Sequence, residues 1–144
     1  MSKYSIEVQQ VIHAPPPEVY AILIHLEDWK NWTPTINRIS LMNNTPFAVG
    51  STAKILQPKL PPAEWTITDI QPDKSFTWTK KSFGLEIIAV HLVRESPEGS
   101  VFKNSIEYRG FMAALAYFLT RSLTRNYLTR EAEGLKRACE KNNK

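Results

Sequence analysis

Few side chains in this sequence are placed to do chemistry. His91 lies in the run LEIIAVHLVR (85–94), where Glu86 and Arg94 share one parity and want solvent, which puts Leu85, Ile87, Ala89, His91 and Val93 on the other face. Ile88, Val90 and Leu92 are apolar too, so that assignment rests on the two charges. In the run VFKNSIEYR (101–109), Lys103, Glu107 and Arg109 alternate with Phe102, Asn104, Ile106 and Tyr108. An imidazole, an amide and a phenol are thereby expected on otherwise apolar strand faces. Burial shifts the pKa of a histidine or a carboxylate, so the chemistry such a set suits is general acid–base work. Asp69 is a second candidate base, expected at a strand end facing water.

Other reaction classes find no support. Cys139 is the only cysteine and has no histidine near it in sequence. No serine or threonine sits in a G-x-S-x-G elbow, and there is no HExxH, glycine-rich phosphate loop or Cys/His ligand spacing. With five glycines in 144 residues, neither a metal nor a cofactor is expected.

The elements that must position these residues follow from periodicity. Residues 4–13 alternate, with Tyr4, Ile6, Val8 and Ile12 on one side and Ser5, Glu7 and Gln9 on the other, which predicts a half-buried strand. Pro15, Pro16 and Pro17 end it, and the last two can open a helix carrying Val19, Tyr20, Leu23, Ile24 and Leu26. Asp28 is placed to cap a second short helix with Trp29 and Trp32 on one face and Pro34 as its stop. Strands are predicted near 36–42, 51–57, 64–71, 75–80, 85–95 and 100–109, separated by turn chemistry at NNTPF, QPKLPPA, QPDK, SFG and SPEG. Such short connections mean hairpins and an antiparallel meander.

After Gly110 no proline occurs, and a helix of about 25–30 residues is predicted. Met112, Leu115, Ala116, Leu119 and Leu123 form one apolar stripe on it. Leu128, Ala132, Leu135 and Cys139 form another, rotated about the axis, which a bend or two different contact surfaces would explain. Strand parity also turns Trp65, Ile67, Phe76, Trp78, Ala53 and Ile55 toward this helix, which returns Leu115, Leu119 and Leu123, with Ala116 and Ser122 as small gaps.

Composition is that of an ordinary globular chain, 42% hydrophobic and 22% charged, and one domain over 1–144 is expected. No run approaches the roughly 20 apolar residues of a membrane span. The N-terminal MSKYSIEVQQ has no signal-peptide core, and a lone cysteine fits a reducing cytoplasm. The net charge of +4 is uneven: residues 1–112 hold eleven Lys/Arg and eleven Asp/Glu, whereas 113–144 hold seven and three. That terminal excess reads as a solvated helix face, or as a surface for weak contact with anionic membranes. No nucleic-acid motif is present.

Together, the stretch Ala14-Pro15-Pro16-Pro17-Glu18-Val19-Tyr20, the clamp Trp29-Lys30-Asn31-Trp32-Thr33-Pro34, and Val49-Gly50-Ser51, Asp69-Ile70-Gln71-Pro72 and Glu107-Tyr108-Arg109-Gly110 resemble the START-like (SRPBCC) superfamily. Within it the chain is most similar to the polyketide cyclase/dehydrase-like, Bet v 1-like helix-grip proteins. The resemblance covers essentially the whole chain. It implies an α+β fold: a curved seven-stranded antiparallel sheet wrapped around a long C-terminal helix, with two short helices after the first strand and a cavity between sheet and helix. The side chains expected to line that cavity are Trp65, Ile67, Trp78, Ile87, Ala89, His91, Asn104, Ile106, Tyr108, Leu115, Leu119 and Leu123. The same side chains can instead fill the centre as solid core.

Three functions are compatible with that cavity. One is binding of a hydrophobic or aromatic small molecule or lipid, by a monomer or homodimer. Another is a cyclase/dehydrase-like enzyme with His91 as base and Asn104 or Tyr108 as hydrogen-bond donors. The third is lipid transfer or a membrane-associated adaptor using the basic helix and the loop QPKLPPA. Entry is expected past loops 57–63 and 82–85 and the helix start near Phe111.

Overall fold

The computed structural model describes residues 3–141; Lys144, one of the basic residues counted above, lies outside them. Seven strands form one curved antiparallel sheet: β1 (Ser5–Ile12), β2 (Arg38–Leu41), β3 (Thr52–Leu56), β4 (Ala63–Gln71), β5 (Ser75–Ser82), β6 (Leu85–Ser96) and β7 (Gly99–Arg109). Their order is β1-β7-β6-β5-β4-β3-β2, so β2 to β7 run as an uninterrupted meander and β1 closes the far edge on β7. The helix α1 (Pro16–Leu23) and a 3₁₀ turn (Leu26–Asn31) connect β1 to β2, and α2 (Ala113–Lys141) packs on the concave face. This is the helix-grip architecture that the sequence motifs imply.

The proline corner works as its chemistry requires. Pro15 is the extended N-cap residue of α1, and prolines fill the first helical positions, where no backbone donor is needed. Val19, Tyr20 and Leu23 are buried, and the Tyr20 hydroxyl donates to the Ser75 carbonyl at 2.9 Å, tying α1 to β5. The second short helix is a 3₁₀ turn capped at His25 rather than at Asp28. It delivers Trp29 to the core, where the indole N–H donates to the Leu23 carbonyl at 2.8 Å and the ring packs against Trp32, Phe76, Trp78 and His91.

The two predicted stripes on the terminal helix are one. Its sheet-facing positions run Ala113, Ala116, Thr120, Leu123, Thr124, Tyr127, Leu128, Glu131, Ala132, Leu135 and Cys139, spaced by threes and fours throughout, while Leu115 and Leu119 stand outside it at 52% and 75% exposure. The apparent rotation arises because the inward positions of the first half are partly threonine and tyrosine, whereas large leucines occupy the outer face. At its C-terminal half, α2 passes so close to the 3₁₀ turn that a Cβ on Gly134 would collide with the Trp32 carbonyl oxygen.

Candidate functional site

Between the N-terminal half of α2 and the sheet lies a cavity of about 280 Å³. Rows of paired residues across β5, β6 and β7 build its floor. His91 and Asn104 form the innermost row, backed on β5 by Phe76, which is buried off the wall; Trp78, Ala89 and Ile106 form the next, and Lys80, Ile87 and Tyr108 the outermost. Trp65 and Ala63 extend the wall on β4, and Trp29 stands at the inner end. Gln57, Leu60 and Pro61 of the loop between β3 and β4 also line it, and because Leu60 and Pro61 are themselves exposed, the cavity reaches the surface there. The Tyr127 hydroxyl of α2 donates to the Pro58 carbonyl and fastens this loop to the helix.

At the inner end the polar atoms are few and committed. His91 is 2% exposed and stacks on Phe76 at 4.2 Å, with Trp29 and Trp78 edge-on to its ring. Its Nδ1 lies 3.2 Å from the Phe76 carbonyl, which can only accept, so Nδ1 carries the proton and Nε2 the lone pair. Burial lowers its pKa to about 4, the carbonyl bond opposing, and the imidazole is neutral at physiological pH.

Asn104 spends both amide protons within the protein, on the Leu128 carbonyl and on Glu131 Oε1, each at 3.2 Å. Its Oδ1 is buried and accepts no hydrogen bond among the described residues. Glu131 receives a second bond from Thr35 Oγ1 at 3.0 Å, and burial raises its carboxyl to about 7 despite the two donors.

Nearer the mouth, Thr120 Oγ1 donates to the Ala116 carbonyl at 2.7 Å. The Tyr108 hydroxyl, 2.8 Å from Thr120 and 2.9 Å from Thr124, therefore donates to Thr120 and accepts from Thr124. Tyr108 is a strut between β7 and α2 whose proton is not on offer.

Of the residues predicted to line a cavity, Trp65, Trp78, Ile87, Ala89, His91, Asn104, Ile106, Tyr108 and Leu123 lie on its wall. Ile67 does not: it pairs with Trp78 across the sheet but is fully buried in the core, off the cavity wall. Leu115 and Leu119 do not, because they occupy the solvent face of α2. The hydrogen-bond-donor role assigned to Asn104 and Tyr108 also fails, since their protons are already used. Asp69 is exposed, beside a bulge in β4 and bonded to Gln71. Ser82, Phe83, Gly84 and Phe111 lie off the wall, although Phe83 and Phe111 meet edge-to-face at 5.3 Å.

Sequence reasoning missed Glu131, Thr120, Thr124, Tyr127 and Trp29. The helical ones were accessible by stepping back from Leu135 and Leu128 in threes and fours, a register that passes through Glu131, Thr124 and Thr120. Choosing the bulkiest leucines instead selected the wrong face. Trp29 reads as a clamp residue in the sequence and is both clamp and wall.

Cys139 is buried, and burial pushes its thiol up to about 12, which leaves it inert as a nucleophile. Among the described residues no group of His, Cys, Asp and Glu could hold a metal ion, and no helix is long and apolar enough to cross a membrane.

Solved structures carry the same architecture at low sequence identity. The di-domain ARO/CYC StfQ from the steffimycin biosynthetic pathway superposes with a TM-score of 0.77 at 12% identity over 97% of this chain; the chain spans about half of that protein, 51% of its length. A norcoclaurine synthase point mutant of Thalictrum flavum, in complex with a transition-state analogue, gives 0.77 at 11% identity, covering 97% of this chain and 96% of that one. A protein of Thermus thermophilus gives 0.76 at 12% identity, covering 97% and 99%. No curated protein matches in sequence. The family model described as polyketide cyclase/dehydrase and lipid transport matches residues 3–140, and with nearly the whole chain so matched, the protein belongs to that family.

Proposed function

We propose that the protein binds and carries an apolar or aromatic small molecule in the cavity under α2. One observation carries this reading: a space of about 280 Å³, floored by Trp65, Trp78 and Ile106, reaches the surface beside Leu60 and Pro61. Binding sites of this kind are mostly apolar, with few polar anchors. The family description, which names lipid transport, supports it. Filling the space tests it. Ala89 is the small residue between Trp78 and Ile106 on the floor, and Ala89→Phe projects a ring into the void. The variant should stay folded and lose affinity for 1-ethylnaphthalene by at least about tenfold, read from tryptophan fluorescence. Undiminished affinity in a folded variant would refute the reading.

An exposed apron beside the cavity fits delivery of such a ligand at an anionic membrane. Phe83, Phe111, Leu115, Phe118 and Leu119 are all more than half exposed, and Arg121 stacks over Phe118 at 5.2 Å. Salt-sensitive sedimentation with phosphatidylserine vesicles, absent with neutral ones, is the expected result. We place the protein in the cytoplasm, since a chain with one cysteine forms no internal disulfide and fits a reducing compartment.

Acid–base catalysis is the second reading, favoured by Glu131. A carboxyl with a pKa of about 7 and a histidine whose Nε2 keeps its lone pair line the same cavity, so one can donate a proton and the other accept one. The names of StfQ and norcoclaurine synthase identify enzymes on this scaffold. On this reading Glu131→Gln abolishes turnover while leaving affinity for a neutral ligand intact.

A further inference from the structure

At alkaline pH the polar groups of the cavity's inner end have no proton left to give a ligand. Asn104 has used both protons and keeps a buried, unpartnered Oδ1; His91 has used its Nδ1 proton and keeps the Nε2 lone pair. Glu131 accepts from Asn104 and Thr35, and no cation pairs with it: the ion pairs among the described residues are Lys81–Glu86, Lys103–Glu7, Arg109–Glu107 and Lys136–Glu140. A buried carboxylate without a counter-charge is costly, and two neutral donors offset only part of that cost. The cation of the wall, Lys80, stands four residues along β5 from the innermost row, about 13 Å at the strand rise. Trp29, Trp78 and Trp65 line the same cavity as the carboxylate, and indole faces attract cations.

We propose that the inner end of this cavity recognises an ammonium group, so that the ligand is an apolar or aromatic amine whose nitrogen meets the Glu131 carboxylate while its body fills the tryptophan-lined space. The proposal rests on the binding function proposed above. A carbonyl or carboxylate at the same end would face acceptors alone once Glu131 is ionised. A hydroxyl donates one hydrogen bond but supplies no charge.

The probes that test this share one body: 2-(1-naphthyl)ethylamine, 2-(1-naphthyl)ethanol, 1-naphthylacetic acid and 1-ethylnaphthalene, titrated into the intact protein by calorimetry at pH 8. The amine should bind at least about tenfold more tightly than the alcohol and the hydrocarbon, with the acid weakest, as charge-assisted bonds outweigh neutral ones. Glu131→Gln should erase the amine's advantage and keep the affinity for ethylnaphthalene, which also reports that the cavity is intact.

Should that variant not fold, the parent protein supplies the same test by pH. The other titratable groups on the wall are Lys80 from β5, His91 from β6, Tyr108 from β7 and Tyr127 from α2 itself. Glu131, with a pKa of about 7, loses its charge between pH 8 and 5.5 whereas His91, at about 4, stays neutral, so the amine's advantage should fall by about tenfold over that range while ethylnaphthalene is unaffected. If ethylnaphthalene binds and the amine binds no tighter than the alcohol, or keeps its advantage unchanged in Glu131→Gln or at pH 5.5, the amine assignment is overturned and the binding function stands. If none of the four binds, the binding function itself falls.

Discussion

Over residues 128–139, α2 sets Leu128, Ala132, Leu135 and Cys139 onto the sheet side, all nearly inaccessible, and Gly134 allows backbone contact with the 3₁₀ turn. Over residues 116–127 the same helix presents Ala116, Thr120, Leu123, Thr124 and Tyr127 to an open space. The difference lies in what stands between helix and sheet. In the second half, small residues bring the backbones together. In the first, the Tyr108 ring reaches up from β7 and bonds two threonines, holding the helix at the height of a tyrosine. A single helix thus serves as core along one half and as the roof of a cavity along the other, and the buried carboxyl of Glu131 marks the boundary.

The packed half should be the more easily broken. Gly134→Ala sets two effects against each other: alanine favours a helix interior by about 1 kcal/mol, but its Cβ meets the Trp32 backbone, which cannot rotate away. Overpacking against backbone wins, with an expected net loss of about 3 kcal/mol and a fall in Tm of roughly 10 °C in thermal unfolding. An unchanged or raised Tm would mean that the helix does not sit down on the turn.

How much of this was legible beforehand differs between the halves for the same reason. The strands, the proline corner and the in–out parity of β6 and β7 were readable because charged residues such as Glu86, Lys103 and Arg109 alternate with apolar ones. The packed half of α2 was readable too, since its buried positions are apolar. Its roofing half was not. A helix over a cavity is freed from the need to bury leucines, so Thr120, Thr124 and Glu131 face inward while Leu115 and Leu119 face out. Nor does spacing reveal that Asn104 and Tyr108 have spent their protons, because their partners lie on another element, a dozen or more residues further along the chain.

The boundary residue should show itself in the pH dependence of stability. Glu131 has a folded pKa of about 7 against an ordinary 4.5, so its neutral form is the one the fold prefers: its contribution is complete below pH 4.5 and is lost as pH rises through 7. His91 runs the other way. Its folded pKa of about 4 against 6.5 gives a contribution complete above 6.5 and lost as pH falls through 4. Between pH 4.5 and 6.5 the two slopes, each about 1.4 kcal/mol per unit, oppose each other and nearly cancel in the parent protein. In Glu131→Gln the histidine acts alone, so denaturant-measured stability should climb by about that slope per unit across the same window. Parallel curves for variant and parent would show that Glu131 is not held neutral by its surroundings.

The smallest effect is the sharpest check on which face of α2 looks inward. Leu119→Ala removes a large apolar side chain that is 75% exposed, so little buried area is lost and the expected change in stability is within about 0.5 kcal/mol. Leu135→Ala, the same substitution further along the same helix at a fully buried site, should cost about 2–5 kcal/mol. Thr120 is only one residue from Leu119, but one residue is about 100° of helix rotation, enough to exchange roof for solvent face. Comparable losses in the two alanine variants would therefore mean that Leu119, not Thr120, points at the sheet. The space beneath the helix would then be filled with leucine, leaving Glu131 with no cavity to face.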